Sequence, residues 1–267
     1  MPDLRLPPAV VDETSTPVRL RYFDTMLSWF EPGRLVDLGA GHGQFSLRAV
    51  DAGWTVTAVD ARTVRFPDDP RVTWVHQDVR ETDLTSYDMV VNLGLLYHLT
   101  LEDQISLLDR SAGRPMILDT HVGVAGEKGY RLTGVVDVDG HEGRLYSEEG
   151  IQHDPRSSWG NLASFWPTPA TLQRMLAERG WDVYTAPYYL SSRTFFLCVP
   201  RDAGEDAFLA PDWLRRGADG ELRRQLREER AARRAAEQRV KALEASTSWR
   251  LTALPRRLAR LTRGPWG

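Results

Sequence analysis

Residues 34–46 run RLVDLGAGHGQFS, and residues 54–60 run WTVTAVD. The first string is an apolar run ending at Leu38, followed by glycines at 39, 41 and 43. Lacking a Cβ, glycine lets the backbone turn tightly and approach a ligand closely. Asp60, seventeen residues beyond Gly43, closes the second apolar run. An acid at that place in a βαβ unit can grip both hydroxyls of an adenosine ribose. Together the two strings predict strand, glycine turn, helix (Gly41 to Ala52) and strand, holding a nucleoside-containing cofactor.

The spacing narrows the cofactor. It is G-x-G-x-G, not the G-x-G-x-x-G of dinucleotide sites, and no Gly-Lys-Ser/Thr follows, which excludes a phosphate-cradling P-loop. Asp37 stands two residues before the first glycine. An acid there suits a positively charged ligand better than a pyrophosphate. S-adenosylmethionine (SAM) carries a sulfonium, an ammonium and a ribose, and no phosphate. The pattern resembles the first motif of class I SAM-dependent methyltransferases.

Later segments follow that family's order. VTWVHQD (72–78) reads as a third strand, DMVVNLGLLYHL (88–99) as a fourth and MILDTHV (116–122) as a fifth. TLQRMLAERGWDVYTA (171–186) and RTFFLCVPR (193–201) resemble the closing helix and antiparallel pair. The resemblance implies an α/β, Rossmann-like sheet with helices on both faces over residues 18–202, with SAM as cofactor. It implies that Asp37, Gly39, Ala40, Gly41 and Gly43 shape the cofactor turn and that Asp60 and Ala61 meet the ribose. Asp78 and Val79 would border adenine, and Asn92, Leu93 and Gly94 would line the methionine.

Composition sets outer bounds. The 267 residues suffice for one α/β domain plus an appendage. Cys198 is the single cysteine, inside an apolar strand, and reads as a small core residue. There is no signal-peptide-like apolar core and no run of 18 apolar residues, so a cytoplasmic location is expected. Residues 201–267 hold 16 Lys and Arg against 10 Asp and Glu, a net +6, which leaves −9 on the rest. An acidic body argues against a nucleic-acid partner, because phosphate binding needs clustered Lys and Arg.

Residues 1–17 read as a flexible lead-in, and VRLRYFDTMLSWF (18–30) has a helical period. LEDQISLLDRSA (101–112) is the helix before strand five. The stretch 121–170, rich in Gly, Asp, His, Trp and Tyr, reads either as an acceptor-site excursion or as a surface hairpin with a loop. Residues 203–218 are a linker. Residues 219–245 have strong helix propensity, but charged residues at heptad core positions 229 and 233 leave at most a weak homodimer seam. The last 22 residues, 246–267, form a basic amphipathic pattern suited to docking on a membrane surface or partner protein. That tail resembles those of bacterial polysaccharide-pathway glycosyltransferases and methyltransferases.

Methyl transfer from a sulfonium needs alignment and water exclusion, and a hydroxyl acceptor must also lose a proton. His98 and His121 stand at predicted strand ends and are the candidate bases. Asp119, His121 and Glu148 are an alternative set that could hold Mg²⁺ or Mn²⁺. Tyr146, Glu148, Trp159, Asn161 and Trp166 in the excursion suit a saccharide, packing its CH face and bonding its hydroxyls. The expected activity is O-methylation of a small-molecule or oligosaccharide acceptor in bacterial glycan synthesis. The alternatives are methylation of tRNA or a small metabolite, and a non-catalytic SAM-binding scaffold.

Overall fold

A computed structural model of the chain describes residues 15–124, 131–151, 154, 157–186, 190 and 192–203. All of these belong to the first of two compact units, 1–214 and 215–267. The helix expected over 219–245, its dimer seam and the amphipathic tail lie outside the described residues.

Seven strands form one sheet in the order β3-β2-β1-β4-β5-β10-β9. They are β1 (Arg34–Leu38), β2 (Thr55–Asp60), β3 (Val72–His76), β4 (Met89–Leu93), β5 (Met116–His121), β9 (Trp181–Thr185) and β10 (Arg193–Pro200). The first five are parallel, and β10 runs antiparallel between β5 and β9. The apolar runs of β1, β4 and β5 are buried almost throughout because both faces of the sheet are covered. Successive residues feed opposite cores. Leu35 packs with Phe23 and Phe45 on the side of α1 (Ser15–Leu27) and α2 (Gln44–Asp51). Val36 packs with Leu108 and Leu172 on the side of α3 (Leu101–Ser111) and α4 (Pro169–Glu178).

Helix boundaries shift from the expected ones for local reasons. α1 starts at Ser15, not residue 18, since a proline in the first turn lacks only an N–H that would be unpaired anyway. α2 starts at Gln44 because Gly41 (φ 55°) and Gly43 (φ 66°) are left-handed and cannot be helical. Thr100 and Thr168 cap α3 and α4 by accepting the amides of Asp103 and Thr171. Cys198 is fully buried in β10, and burial pushes its thiol pKa well above the usual range.

The excursion carries a second, antiparallel sheet, β6 (Val136–Val138), β7 (His141–Ser147) and β8 (Ala163–Pro167). Asp139 (φ 50°) and Gly140 (φ 77°) make its two-residue hairpin turn. The buried Gln104 amide of α3 docks this sheet, donating to the carbonyls of Leu96, Leu99 and Phe165.

Gly43 is where chain geometry and packing coincide. A Cβ there would lie 2.3 Å from the Trp74 ring, on a residue already at positive φ. Gly43→Ala is expected to cost about 1–3 kcal/mol, read as a lower urea midpoint with the slope unchanged.

Candidate functional site

A cleft of about 310 Å³ opens at the carboxyl ends of β1, β2 and β4, where strand order reverses. The glycine turn forms its floor. The amides of Gly39 and Ala40 donate to Val59 O at 2.8 and 3.2 Å, folding the turn back on β2. Gly41 is the open position: a Cβ there would meet nothing nearer than 3.9 Å, so a ligand can lie against its backbone. Gly43 lies outside the lining and serves the Trp74 packing instead.

Asp60 is held by two backbone donors. Gly41 N–H reaches Oδ2 at 2.9 Å and Arg62 N–H reaches Oδ1 at 2.7 Å. Ala61, Asp78, Val79, Leu93 and Gly94 complete the expected lining. Asp78 caps the turn after β3 and is paired with Arg80 at 2.6 Å, which holds its carboxyl below the usual range. Asn92 does not reach the cleft; it is fully buried, and its Oδ1 accepts Leu96 N–H at 3.2 Å, bracing the turn behind the lining.

Asp37 is buried beside this cleft and accepts the Ser46 hydroxyl at 2.6 Å. Burial, with the nearby Asp60 charge adding to it, raises its pKa to about 6 despite the Ser46 bond and Arg19. A carboxylate so placed favours a cationic ligand. Donor set, open glycine and unbalanced acid all fit SAM: Asp60 for the ribose, Asp37 for the positive end.

A second cleft of about 280 Å³ lies alongside and shares Tyr97, His98 and Ser157 with the first. His121, Tyr146, Glu148 and Trp166 line it. His98 Nδ1 is 3.0 Å from Oε1 of Glu148, and that oxygen also accepts the Ser164 hydroxyl at 2.8 Å. Burial works against the Glu148 charge, but the His98 and Ser164 bonds outweigh it and hold the carboxyl below its usual value. An ionised carboxylate only accepts, so Nδ1 carries the hydrogen of this bond. His98 is thus an imidazole oriented by Glu148 where the two clefts meet.

His121 differs. Its Nδ1 is 2.8 Å from Ser192 Oγ, and its ring stacks on Trp166 at 4.6 Å. Burial first, then the Arg193 charge, pushes its pKa down to about 3. It is a neutral wall of the cleft at ordinary pH and a weak base. Trp166 also stacks with Tyr146 at 5.3 Å. Trp159 lines the first cleft, not the second, and Asn161 lines neither; its amide donates to Ala163 O and Ser164 Oγ.

The metal set expected from Asp119, His121 and Glu148 does not assemble. Asp119 is fully buried and takes Arg19 Nε at 2.7 Å and Arg193 Nε and Nη2 at 3.0 Å each. Two guanidiniums occupy the oxygens a cation would need, and Glu148 faces His98. Among the described residues no group of three His, Cys, Asp or Glu side chains is placed to hold a metal ion.

Sequence reasoning missed Arg19, Arg62, Tyr97 and Arg193, which all line the first cleft. Tyr97 had a usable signal, standing next to His98 in the turn after β4. The arginines had none, since their partners lie up to a hundred residues away.

No family model and no curated protein sequence matches the chain. Solved structures do. The N-terminal domain of EvdMO1, crystallised in the presence of SAH and D-fucose, is 21% identical over 71% of this chain and 84% of that one, with a TM-score of 0.54. The same domain with SAH bound gives 19%, 72%, 82% and 0.51. The glycopeptide N-methyltransferase MtfA with SAM gives 20%, 74%, 99% and 0.48. Strand order and structural likeness define the Rossmann-like α/β fold of class I methyltransferases.

The Asp37 carboxyl yields a pH test. Its pKa in the folded protein is raised from 3.8 to about 6, so its contribution is full below pH 3.8 and is lost as pH rises through 6. Asp37→Asn is therefore expected to be more stable than the parent at pH 7.5, by up to about 3 kcal/mol, with no gain at pH 3.5. Urea titrations at the two pH values check this.

Proposed function

We propose that this protein is a SAM-dependent O-methyltransferase whose acceptor hydroxyl belongs to a saccharide. The carrying observation is the His98–Glu148 pair at the junction of the two clefts. An alcohol needs a positioned base, whereas an amine nucleophile does not need one of this kind. In this reading Gly39, Ala40 and Gly41 let the cofactor approach the backbone, with Gly43 packing the turn. Asp60 and Ala61 take the ribose, and Asp78 and Val79 border adenine. Leu93 and Gly94 face the methionine end, with Asn92 bracing their turn. SAM supplies an already activated methyl group. His98 Nε2 accepts the acceptor's proton, Glu148 holds the imidazole in the required tautomer, and the neutral His121 closes the wall against water.

The saccharide assignment rests on the second cleft, where Tyr97, Tyr146 and Trp166 stand beside Glu148. Aromatic faces beside acceptor oxygens suit a ring with an apolar CH face and hydroxyl donors. The D-fucose present with the EvdMO1 domain makes deoxysugars the first acceptors to try. A role in glycan synthesis, a cytoplasmic location, docking through 246–267 and a weak homodimer seam in 219–245 complete the proposal. No helix among the described residues is long and apolar enough to cross a membrane.

Calorimetry with SAM, followed by SAH release across a panel of sugars and sugar nucleotides, tests it. Asp60→Ala is expected to weaken SAM at least tenfold, the loss of a charge-assisted hydrogen bond. Unchanged affinity removes the ribose assignment. His98→Gln is expected to lower kcat about 10²- to 10⁴-fold with SAM affinity kept, and full activity in that variant discards the base.

A further inference from the structure

Trp159 is a large aromatic left half in solvent, 51% exposed, at the edge of the first cleft. Its neighbours explain why it stays there. The Arg62 guanidinium lies over its ring at 5.1 Å and donates to the carbonyls of Ser157 and Ser158, both at 3.0 Å. Arg62 also gives its backbone N–H to Asp60 Oδ1. One residue therefore joins the acid at the end of β2 to the segment 157–159. The next residue, Gly160, points toward the other side of the same subsite: a Cβ there would come within 4.0 Å of Arg80 Nη2, and Arg80 is the partner of Asp78. Segment 157–160 is thus tied through Arg62 to the acid of β2 and passes near the Arg80 partner of Asp78. It also reaches the second cleft, since Ser157 lines both.

We propose that Trp159 and Arg62 are specificity residues for the adenine nucleoside, and that nucleoside binding orders the acceptor cleft through Ser157. The inference rests on the cofactor reading above. An exposed indole beside a purine site gains by stacking, and a base–aromatic contact is worth roughly a tenfold change in affinity or more. Stacking would restrain the ring from one side while Arg62 restrains it from the other. Segment 157–160 would then lose freedom, and Ser157, being continuous with it, would take one position in the acceptor wall. Binding would be ordered, the nucleoside first and the acceptor second.

Hydrogen exchange of the full chain, read by mass spectrometry without ligand, with saturating SAH and with saturating methylthioadenosine, tests the proposal. Calorimetry run in parallel establishes occupancy. Amides of 157–160 are expected to exchange about tenfold more slowly with either ligand, because both carry the adenosine half. Arg62→Ala is expected to weaken SAH and to abolish that protection even at SAH concentrations that calorimetry shows to be saturating. Trp159→Ala, a change at an exposed side chain, is expected to weaken SAH about tenfold with unfolding unaffected. SAH that binds by calorimetry yet leaves exchange at 157–160 unaltered, or protection that survives in Arg62→Ala, overturns this inference alone. No SAH binding in the parent chain overturns the cofactor reading and this inference with it.

Discussion

The Asp119 carboxylate, fully buried at the end of β5, receives one guanidinium from α1 and another from β10. Taking three charges largely out of water is costly, and three guanidinium hydrogen bonds to the one carboxylate offset that cost. Removing one partner of such a cluster typically costs about 3–5 kcal/mol, since the remaining charge stays buried. The clamp also sets the site. Arg19 reaches on to Leu93 O at 3.0 Å, which fixes α1 over the end of β4. Arg193 lies over the Tyr97 ring at 5.1 Å. Tyr97 is followed at once by His98, so the charge cluster helps to place the turn that carries this imidazole, which Glu148 then orients. The same saturation that makes Asp119 a good brace makes it unfit as a metal ligand.

Burial then sorts the remaining titratable groups by what each can reach. Asp37 has one hydroxyl donor and a like charge nearby, and its proton affinity rises. Glu148 has the His98 and Ser164 side chains and the Ser158 backbone as donors, and its proton affinity falls although it too is buried. His121 sits near Arg193 and stays neutral, so it neither competes with His98 for a proton nor repels a cation in the adjoining cleft. The acid raised beside the first cleft and the acid lowered behind His98 show the same desolvation prevailing in one place and outweighed by hydrogen bonds in the other.

The main sheet was legible because its signals are local. Leu35–Leu38, Met89–Leu93 and Met116–Leu118 are apolar runs of strand length, and glycine is forced where the turn needs positive φ. The acids at 37, 60 and 78 stand at or just beyond the carboxyl ends of β1, β2 and β3, so their gathering at one crevice could be foreseen from order alone. The second sheet was less legible. Its hairpin did carry a signal, Asp139-Gly140 between valines and a β-strand-like run, yet the surrounding polarity masked it. What sequence could not convey was pairing. Asp119 and Glu148 looked alike as acids near histidines. Only tertiary contact shows that one is consumed by arginines and the other directs an imidazole. Trp159 and Trp166 were indistinguishable as aromatic residues in a loop, and seven residues of separation put them in different clefts.

The division of charge between the clefts suits the proposed reaction. Asp37 favours a cation in the first cleft, and Glu148 favours a cation at His98 in the second. In that reaction, proton capture by His98 would create the second cation as the acceptor gains the methyl, so the positive charge of the whole site would be conserved while its position changes. Glu148, already ionised and already aimed at Nδ1, needs no rearrangement to meet it, which is the condition for electrostatic stabilisation to favour the transition state. Asp37 would lose a cationic partner in the same step and return to the state in which burial and Asp60 oppose its charge. A neutral thioether would therefore be held less tightly than a sulfonium by this acid. In the proposed reaction, the acid that destabilises the empty fold above pH 6 would thus also favour exchange of spent cofactor for fresh.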